Sequence, residues 1–456
     1  MQRHIPIAAA TLALLATGAL AQDNKVLMGK DAFGNWQDDA PGVVRHITAD
    51  DLEAPGATES ASNAPGNVPR PEGTMPKIKD GFKIELVADG IDPPRVLRFA
   101  PNGDLFVANS EAGKVTVYQF EEGNPVPIEE GTYIEGLNQP YGIAFYPPGD
   151  NPEWLYIAES DGLKRFPYKS GDMKAPDGEG GPDKGEAVLQ GIPAEHHWTR
   201  DVAFSADAGT MFYSVGSGSN VGLDMTMEPK PEEGTVEDWI ANHPLGVAWG
   251  GEERRADVLA FTPDGKDERY FATGLRNCAG MTVQPATGAL WCVVNERDEL
   301  GDNVPFEYAT SVQDGAFYGW PWYYIGGNPD PRWADQPRED LKDKVTVPDV
   351  LFQAHSAPLN IAFYDSDAWG AEYKGDAFVT FHGSWNRNTR TGYKIVRLNF
   401  DENGKPDGTY EDFVTGFVMS DADVWGRPVG IAVAPDGSLY FSEDGSGSIW
   451  RVSKAE

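Results

Sequence analysis

Two adjacent histidines, His196 and His197, open the segment HHWTR at residues 196–200. An imidazole has an unperturbed pKa of ~6.5, so it can accept a proton from a substrate near neutral pH. A single histidine is usually an ordinary surface residue, whereas this pair, followed by tryptophan and arginine, favours a general base. Either His197 or His196 could be this base, while His355 and His382 have less context. No His-Glu-x-x-His motif occurs, so a zinc peptidase is not expected.

Arginines recur at positions that the repeat described below assigns to one end of the molecule. A guanidinium pairs with a carboxylate through two parallel hydrogen bonds. A ring of arginines in an acidic protein would therefore hold a small ligand with several carboxylates. The alternative is that each arginine pairs with a neighbouring aspartate or glutamate between structural units. The six residues are Arg95, Arg200, Arg276, Arg297, Arg387 and Arg427.

Residues 295–302 (NERDELGD) form an acidic loop at the same end. Within it, Glu296, Arg297 and Asp298 could supply carboxylate and backbone carbonyl oxygens to a hard cation such as Ca²⁺. The spacing is not that of an EF-hand, and a solvated acidic loop is the alternative reading. No Gly-x-Gly-x-x-Gly segment follows a strand in a βαβ pattern, so a nicotinamide or flavin domain is not expected.

Charge and the N-terminal residues restrict the partners and the compartment. The chain has 37 Lys and Arg against 71 Asp and Glu, a formal net charge of -34. Such a surface repels phosphate backbones and anionic lipid, so nucleic-acid binding is not expected. Residues 1–21 combine an arginine, a short apolar run and a final Ala-Leu-Ala. They predict a secretory signal peptide, a periplasmic mature protein and no stable membrane insertion.

The chain has two cysteines, Cys278 and Cys292. No Cys-x-x-Cys-His segment is present, so no covalent haem site is expected. Export would permit a disulfide. A turn at residues 285–288 (PATG) would place Cys292 opposite Met281 rather than opposite Cys278. A disulfide and two separate thiols therefore both remain open.

A repeated pattern organises the chain after residue 76. Each copy has an apolar strand, a tight turn, a second strand and a polar loop. Six copies predict an all-β fold, a six-bladed β-propeller over residues 76–456 with long loops at its mouth. Residues 22–75 are rich in proline and glycine and predict a leader that wraps or hangs free rather than a domain. The copies begin at Pro94, Gln139, Thr199, Cys278, Ala357 and Arg427.

An outer strand precedes most copies, and the last copy lacks one of its own. Residues 82–87 (FKIELV) precede the first copy, so we expect this N-terminal strand to complete the last blade and close the ring. In an antiparallel four-stranded blade, the loop between strands 2 and 3 lies at the same end as the connection to the next blade. The candidate residues named above fall at that end.

These motifs together resemble the soluble sugar dehydrogenases that use pyrroloquinoline quinone (PQQ), especially the L-sorbosone dehydrogenase-like branch. The resemblance runs from about residue 69 to residue 453. It rests on the order of the motifs along a six-bladed repeat. The segments that carry it are PEG at 71–73, GF at 81–82, PR at 94–95, HWTR at 197–200, GLRN at 274–277, NERD at 295–298, GAFYGWP at 315–321 and RPVG at 427–430.

The resemblance implies that PQQ, a tricarboxylate, lies across the propeller mouth with Ca²⁺ below it. It favours His197 over His196 as the catalytic base and places Arg276 and Asn277 beside the cofactor. The other predicted cofactor contacts are Gln139, Arg200, Arg387 and Arg427, and the predicted calcium loop contains Glu296, Arg297 and Asp298.

The implied reaction is direct: the base takes a proton from a sugar hydroxyl or hydrated aldehyde while hydride passes to the quinone. Ca²⁺ and Arg276 would stabilise the charge on the quinone oxygen. The chain has no haem motif, so an external acceptor, such as a c-type cytochrome or a quinone, would reoxidise the cofactor. Two other readings stay open: a calcium-dependent propeller lactonase or other hydrolase, and a non-catalytic binding module.

Overall fold

The computed structural model describes residues 26–121, 123–176, 185–223, 225 and 228–455. The predicted signal peptide, residues 1–21, lies outside these ranges. Strands dominate the fold, and the inner strands of successive sheets contact one another until the last sheet meets the first, as in a β-propeller. Five sheets are four-stranded blades, and the remaining position in the ring holds a seven-stranded sheet. The prediction of a six-bladed propeller is therefore corrected to five blades, with one enlarged sheet at the remaining position.

The five four-stranded blades are antiparallel. The first contains Leu97–Phe99, Leu105–Asn109, Lys114–Phe120 and Pro127–Glu135. The second contains Ile143–Tyr146, Trp154–Glu159, Gly162–Pro167 and Glu186–Gln190. The third contains Val202–Phe204, Met211–Val215, Asp257–Phe261 and Arg269–Thr273. The fourth contains Cys278–Val283, Leu290–Val294, Glu307–Ser311 and Val350–Phe352. The last contains Pro428–Val433, Leu439–Glu443, Ser448–Lys454 and Phe82–Asp89.

The seven-stranded sheet shows what the leader does. Its four central strands are Pro358–Phe363, Ala377–Phe381, Lys394–Phe400 and Pro406–Thr415. The N-terminal strand Val44–His46 pairs with the outermost of these, Val26–Met28 pairs with Val44–His46, and Lys77–Ile78 pairs at Val414 and Thr415. The described part of the leader thus wraps along one sheet rather than hanging free.

The predicted closing strand is confirmed. Phe82–Asp89 pairs along its length with the C-terminal strand Ser448–Lys454, from Phe82 opposite Lys454 to Asp89 opposite Ser448. The Phe82 ring also lies 4.8 Å from the ring of Trp369 and 5.0 Å from that of Phe413 in the neighbouring sheet. The N-terminal strand therefore closes the ring by backbone hydrogen bonds and aromatic packing together.

The core lies between neighbouring sheets. The second strand of a blade faces another sheet on each side, and strands such as Leu105–Asn109, Met211–Val215 and Leu290–Val294 are buried at every residue. Across the first interface, Phe106 of one blade packs against Phe145 of the next, with ring centroids 5.3 Å apart. These strands are therefore apolar along their length, unlike the alternating apolar and polar residues of a sheet with one face exposed to solvent.

Helices are few in the part of the chain that the structure describes. The one α-helix, Val236–Asn242, begins at a capping box formed by Thr235 and Asp238. No helix among the described residues is long and apolar enough to span a bilayer. Two further strand pairs are Tyr323–Tyr324 with Asn328–Pro329, and Gly66–Asn67 with Asp423–Val424. Within the described ranges, the 3-10 turns are Gly29–Ala32, Trp36–Asp38, Ala49–Asp51, Gly250–Glu252, Pro331–Trp333 and Lys342–Lys344.

Cys278 and Cys292 form a disulfide, with their Cα atoms 5.8 Å apart. The predicted hairpin register is correct, since Cys292 does lie opposite Met281. A register shift between Cys278 and Gly280 nevertheless brings the first cysteine close enough to bond. The alternative of two separate thiols is therefore wrong, because the register argument did not include a bulge.

Candidate active site

A cavity of about 270 Å³ lies where the connections between blades meet the loops between second and third strands. Larger cavities of about 580 Å³ and 410 Å³ lie elsewhere, one among aromatic and proline side chains near Trp333 and one beside the hairpin turns at Asn102 and Pro435. The mouth cavity is the one that gathers the predicted catalytic residues. Its lining is His196, His197, Arg276, Asn277, Asn295, Glu296, Asp298, Glu307, His355, Ala357, Trp385 and Asn386.

The hydrogen bonds of His197 fix its tautomer. Its Nδ1 lies 2.8 Å from the backbone carbonyl oxygen of Ser217 and 3.0 Å from the Ser217 hydroxyl oxygen. A carbonyl oxygen can only accept, so Nδ1 carries the hydrogen and Nε2 keeps its lone pair. Burial lowers the pKa of His197 well below 6.5, and nearby Arg276 and His196 lower it further. The imidazole is therefore neutral at neutral pH, as a general base must be.

Gly216 allows His197 and Asn277 to approach each other. A Cβ at this position would meet the Asn277 Oδ1 at 2.5 Å and the His197 Cβ at 2.7 Å. Any side chain at residue 216 would therefore push apart two residues that line the cavity. This glycine is needed for close approach rather than for a turn.

His196 also lines the cavity, but its side chain is exposed. Its ring stands edge-on to that of His197, with centroids 4.3 Å apart, and its backbone adopts φ 67°. The two neighbours thus differ in burial, and His197 is the one whose tautomer the structure fixes. The geometry favours His197 over His196 as the base.

Arg276 anchors one wall of the cavity. Its guanidinium donates to the backbone oxygens of Asn220 at 3.0 Å and Glu296 at 2.8 Å, and to the Asp298 carboxylate at 3.3 Å. Asn220 Oδ1 accepts from both Arg276 and the Asp298 backbone N–H. The predicted arginine and the predicted acidic loop are therefore one hydrogen-bonded unit, and Arg276 remains only 4% exposed.

The acidic loop contributes two carboxylates to the cavity, and Glu307 from the next strand adds a third. Glu296 accepts from the backbone and side chain of Arg297 through Oε2, whereas its buried Oε1 has no hydrogen-bond partner. The Oδ1 of Asn277 is also buried and unpartnered. Burial, together with neighbouring Asp298, raises the pKa of Glu307 well above its usual range.

Those unpartnered oxygens fit a hard cation, which prefers carboxylate and amide oxygen ligands. No three His, Cys, Asp or Glu side chains converge as a metal cluster anywhere in the described ranges. A cation at Glu296 would therefore need amide or backbone oxygens as well. The Arg297 side chain does not line the cavity, because it is fully buried and donates to the Pro321 carbonyl at 2.8 Å and to Asp330 at 3.3 Å.

His355 is committed to a structural network at the cavity wall. Its Nε2 lies 2.9 Å from the Gly301 carbonyl oxygen, and its Nδ1 lies 2.9 Å from the Asn386 side-chain nitrogen. Asn386 also donates to Asp298. Both ring nitrogens are thus occupied, which leaves His355 no free lone pair for proton transfer.

Most of the predicted arginine ring is not at the cavity. Arg200 is fully buried and donates to the backbone carbonyls of His197 and Thr199 at 2.6 Å each, and burial lowers its pKa to about 10. Arg387 donates to backbone oxygens of Asp302 and Phe33. Neither residue is brought to the cavity as expected, because carbonyl groups of loops and leader occupy their guanidinium groups.

A second cluster surrounds Asp444, outside the lining of the cavity. Asp444 pairs with Arg95 and with His382, whose Nε2 lies 2.8 Å from its Oδ1. Arg427 is half-buried beside them and donates to the His382 carbonyl at 3.3 Å. Burial lowers the pKa of His382 to about 4, and Arg427 also lowers it. Gln139 is exposed at φ 50°, and neither it nor Arg427 contributes to the lining.

Glu307 was not predicted from the sequence, and Ser217, Asn220 and Asn386 were given no role. Glu307 could have been found, because it is a charged residue at the start of an otherwise uncharged strand. Ser217, Asn220 and Asn386 belong to loops that the repeat placed at the mouth, but their types are too common in loops to be singled out.

Two relatives resemble this chain in sequence over most of its length. A protein of Borreliella burgdorferi is 26% identical over 378 residues, covering 82% of this chain and 90% of that protein. The pyrroloquinoline quinone-dependent sugar dehydrogenase of Hypocrea jecorina is 23% identical over 427 residues, covering 83% of this chain and 90% of that enzyme.

Solved structures agree with the fold. The calcium structure of a Trichoderma reesei enzyme of Carbohydrate-Active Enzymes family AA12 superposes with a TM-score of 0.66 at 20% identity, covering 86% of this chain and 99% of that chain. The holo form of the pyranose dehydrogenase PQQ domain from Coprinopsis cinerea gives 0.64 at 21% identity, covering 86% and 99%. The TrAA12-like family matches residues 76–310 and 333–455, which is most of the chain, and this protein therefore belongs to the TrAA12-like family.

Proposed function

We propose that the protein is a PQQ-dependent dehydrogenase that oxidises a sugar or sugar aldehyde in the mouth cavity. The family membership and the activity of the Hypocrea jecorina relative support this proposal. The observation that carries it is the placement of His197, neutral and with a free Nε2, beside Arg276 in a cavity of about 270 Å³. L-Sorbosone remains one candidate among the sugars.

The residues at the cavity suit both PQQ and Ca²⁺. The unpartnered oxygens of Glu296 and Asn277 would offer Ca²⁺ one carboxylate and one amide ligand, and backbone oxygens would have to supply the others. Asp298 and Glu307 also line the cavity. Arg276 brings a positive charge to the cavity wall for an anionic cofactor or for developing charge, while its N–H groups donate to protein oxygens. When bound, PQQ would accept the two electrons of the oxidation and Ca²⁺ would act as a Lewis acid.

The chain's own residues then perform three tasks. His197 Nε2 takes the proton of the sugar hydroxyl, a step worth about 10²–10⁴-fold in rate. The Ser217 carbonyl stabilises the imidazolium that forms, because it accepts from Nδ1. Arg276, held by Asn220, Glu296 and Asp298, presents a fixed positive charge without reorganising.

The compartment and the acceptor are part of the proposal. The signal peptide predicted at residues 1–21 supports a periplasmic enzyme. The disulfide between Cys278 and Cys292 supports an oxidising compartment. An external electron acceptor, a c-type cytochrome or a quinone, would return the enzyme to its oxidised state.

A titration tests the proposal. Purified apo-protein is mixed with PQQ, with and without Ca²⁺, and binding is followed by calorimetry. Dye-linked oxidation is then measured over a panel of pyranoses and sugar aldehydes, L-sorbosone included. We expect PQQ binding that Ca²⁺ strengthens, followed by turnover of at least one sugar. Absence of PQQ binding in the presence of Ca²⁺ would refute the dehydrogenase.

One observation favours a second candidate, a calcium-dependent hydrolase. Carboxylate and amide side chains line the cavity, while Arg95, Arg200, Arg297 and Arg387 are held elsewhere by carboxylates or carbonyls. The repulsion that an arginine ring would exert on a cation is thus smaller than the sequence suggested. Hydrolysis of a sugar lactone by Ca²⁺-loaded, PQQ-free protein would support this candidate over the dehydrogenase.

A further inference from the structure

A buried carboxylate lies behind the candidate base. Glu252 belongs to the 3-10 turn Gly250–Glu252, in the segment between the second and third strands of the third blade, and is 2% exposed. Its Oε2 accepts from the Gly218 backbone N–H at 2.7 Å, and its Oε1 accepts from the Ser219 hydroxyl at 2.6 Å. Charge-assisted hydrogen bonds are stronger than neutral ones, so this carboxylate holds the 217–219 turn firmly.

The same turn carries the group that faces the imidazole. Ser217 presents both its carbonyl oxygen and its hydroxyl oxygen to His197 Nδ1. The Ser217 hydroxyl donates to the Ser219 carbonyl at 2.7 Å, and the Ser217 N–H donates to the Arg276 carbonyl at 2.8 Å. The turn is therefore fixed by the cavity wall on one side and by Glu252 on the other.

Arg255, three residues after Glu252, adds a second constraint. Its guanidinium donates to the Glu195 carbonyl at 2.8 Å and to the Glu195 carboxylate at 3.1 Å. Its side chain lies so close to Gly218 that a Cβ there would meet it at 3.2 Å. One short segment thus contacts the turn that carries Ser217 and the loop that carries His197.

We infer that Glu252 is the positioning residue for the base: by holding Gly218 and Ser219 it orients Ser217, which sets the tautomer of His197. Without this carboxylate, the Gly218 N–H and the Ser219 hydroxyl would be buried and unsatisfied, and the turn would move to satisfy them. The catalytic consequence rests on the proposed function, whereas the effect on the imidazole does not.

The decisive measurement uses apo-protein and needs no activity. Glu252→Gln keeps the side-chain volume but replaces one acceptor oxygen with a donor, so one of the two contacts is lost. The ¹⁵N resonances of the His197 ring report which nitrogen carries the hydrogen. We expect a single Nδ1–H form in the wild type and a mixture in the variant. Glu253→Gln, at the exposed neighbouring carboxylate, is the matched control and should keep the wild-type spectrum.

A variant spectrum identical to that of the wild type would overturn the inference. Ser219→Ala gives an independent check, since it removes the hydroxyl contact but leaves the Gly218 contact, and it should produce a smaller change. Circular dichroism melting of each variant shows that the protein compared is folded.

Turnover of the PQQ- and Ca²⁺-loaded enzyme adds a second measurement. Its pH dependence should stay unchanged if Glu252 only stabilises the fold. We expect Glu252→Gln to lower kcat about 10–100-fold, as for outer-shell partners of functional histidines, with KM unchanged. A loosened turn would let water reach His197, so burial would lower its pKa less. The acid limb of the kcat/KM profile, which follows that pKa, should therefore shift to higher pH. Lower activity with an unchanged acid limb of kcat/KM would overturn the positioning role of Glu252. A changed tautomer with full activity would support the positioning role and refute His197 as the base.

Discussion

Arg387 donates from Nη1 to the backbone carbonyl oxygen of Gly34 at 3.2 Å, across a separation of 353 residues. The same guanidinium also donates to the Phe33 carbonyl at 3.1 Å and to the Asp302 carbonyl at 3.2 Å. The N-terminal segment is thereby tied to two loops that flank the cavity. An arginine expected to grip a cofactor instead anchors backbone.

This arrangement predicts a contrast between two arginine substitutions. Arg276→Met should weaken PQQ binding about 10-fold or more, because it removes a positive charge from the cavity wall. Arg387→Met should leave the Kd for PQQ unchanged but lower Tm, because it leaves several half-buried backbone carbonyls without a donor. Calorimetric titration and thermal melting of both variants provide the test. An equal rise in the Kd for PQQ in both variants would show that Arg387 does contribute to the cofactor site.

A second prediction concerns the base. His197→Ala should lose about 10²–10⁴-fold in kcat while keeping its affinity for PQQ, because the imidazole acts on the transition state. His196→Ala is the neighbouring control and should retain most of the turnover, since its side chain is exposed. Steady-state kinetics and PQQ titrations of both variants measure these effects. If His196→Ala abolishes turnover and His197→Ala does not, the base is the other histidine.

A third prediction follows from His382. Its pKa is about 4 in the folded protein and ~6.5 in the unfolded chain, so between these values only the unfolded chain binds the proton. The free energy of unfolding should therefore fall as pH decreases, by about 2 kcal/mol from pH 6.5 to pH 5 for this residue. Urea denaturation of the wild type and of His382→Asn measures it, and the variant should lack this part of the slope. Parallel slopes would contradict the buried neutral imidazole.

A fourth prediction concerns the leader. Arg45 in the strand Val44–His46 is fully buried and pairs with Asp39 and Asp412 at 2.8 Å each, and Lys394 pairs with the same two carboxylates. Arg45→Met should reduce the free energy of unfolding by about 3–5 kcal/mol, because it leaves buried carboxylates undercompensated.

Lys30→Met is the control for that substitution. Lys30 lies in the same segment, but its side chain is 87% exposed and 3.6 Å from Glu53. Its loss should cost about 0–1 kcal/mol. Equal denaturation midpoints for the two variants would show that the leader is not an integral part of the fold.

The sequence predicted the fold well because each copy of the repeat carries its own turn signals. The turn PNG at residues 101–103 ends in Gly103 at φ 92°, between strands that lie where the pattern puts them. The leader was harder to predict: Val44–His46 is too short to stand out, and it becomes a strand because it pairs with Tyr410 and its neighbours. Tertiary pairing, rather than local propensity, determined that element.

The candidate site was predicted only in part, because tertiary contacts also determine where its side chains point. Chain topology brought His197, Arg276, Glu296 and Asp298 to one cavity, as the repeat indicated. Topology could not say which way each arginine points. Arg297 is adjacent to two cavity residues, yet its side chain reaches Asp330 on the far side of the loop. Such orientations depend on hydrogen-bond partners distant in sequence, and a single sequence does not reveal them.

The closure of the ring has a consequence for how this chain is made. Glu85 and Arg451 form an ion pair across the closing blade at 3.0 Å, 366 residues apart. A ribosome therefore releases the three C-terminal strands of that blade long after the strand that must complete it. Until synthesis ends, Phe82–Asp89 is an unpaired edge, and unpaired edges recruit other chains. If the chain is translocated unfolded and folds after its last residue emerges, the incomplete propeller with its aggregation-prone strand edge does not form.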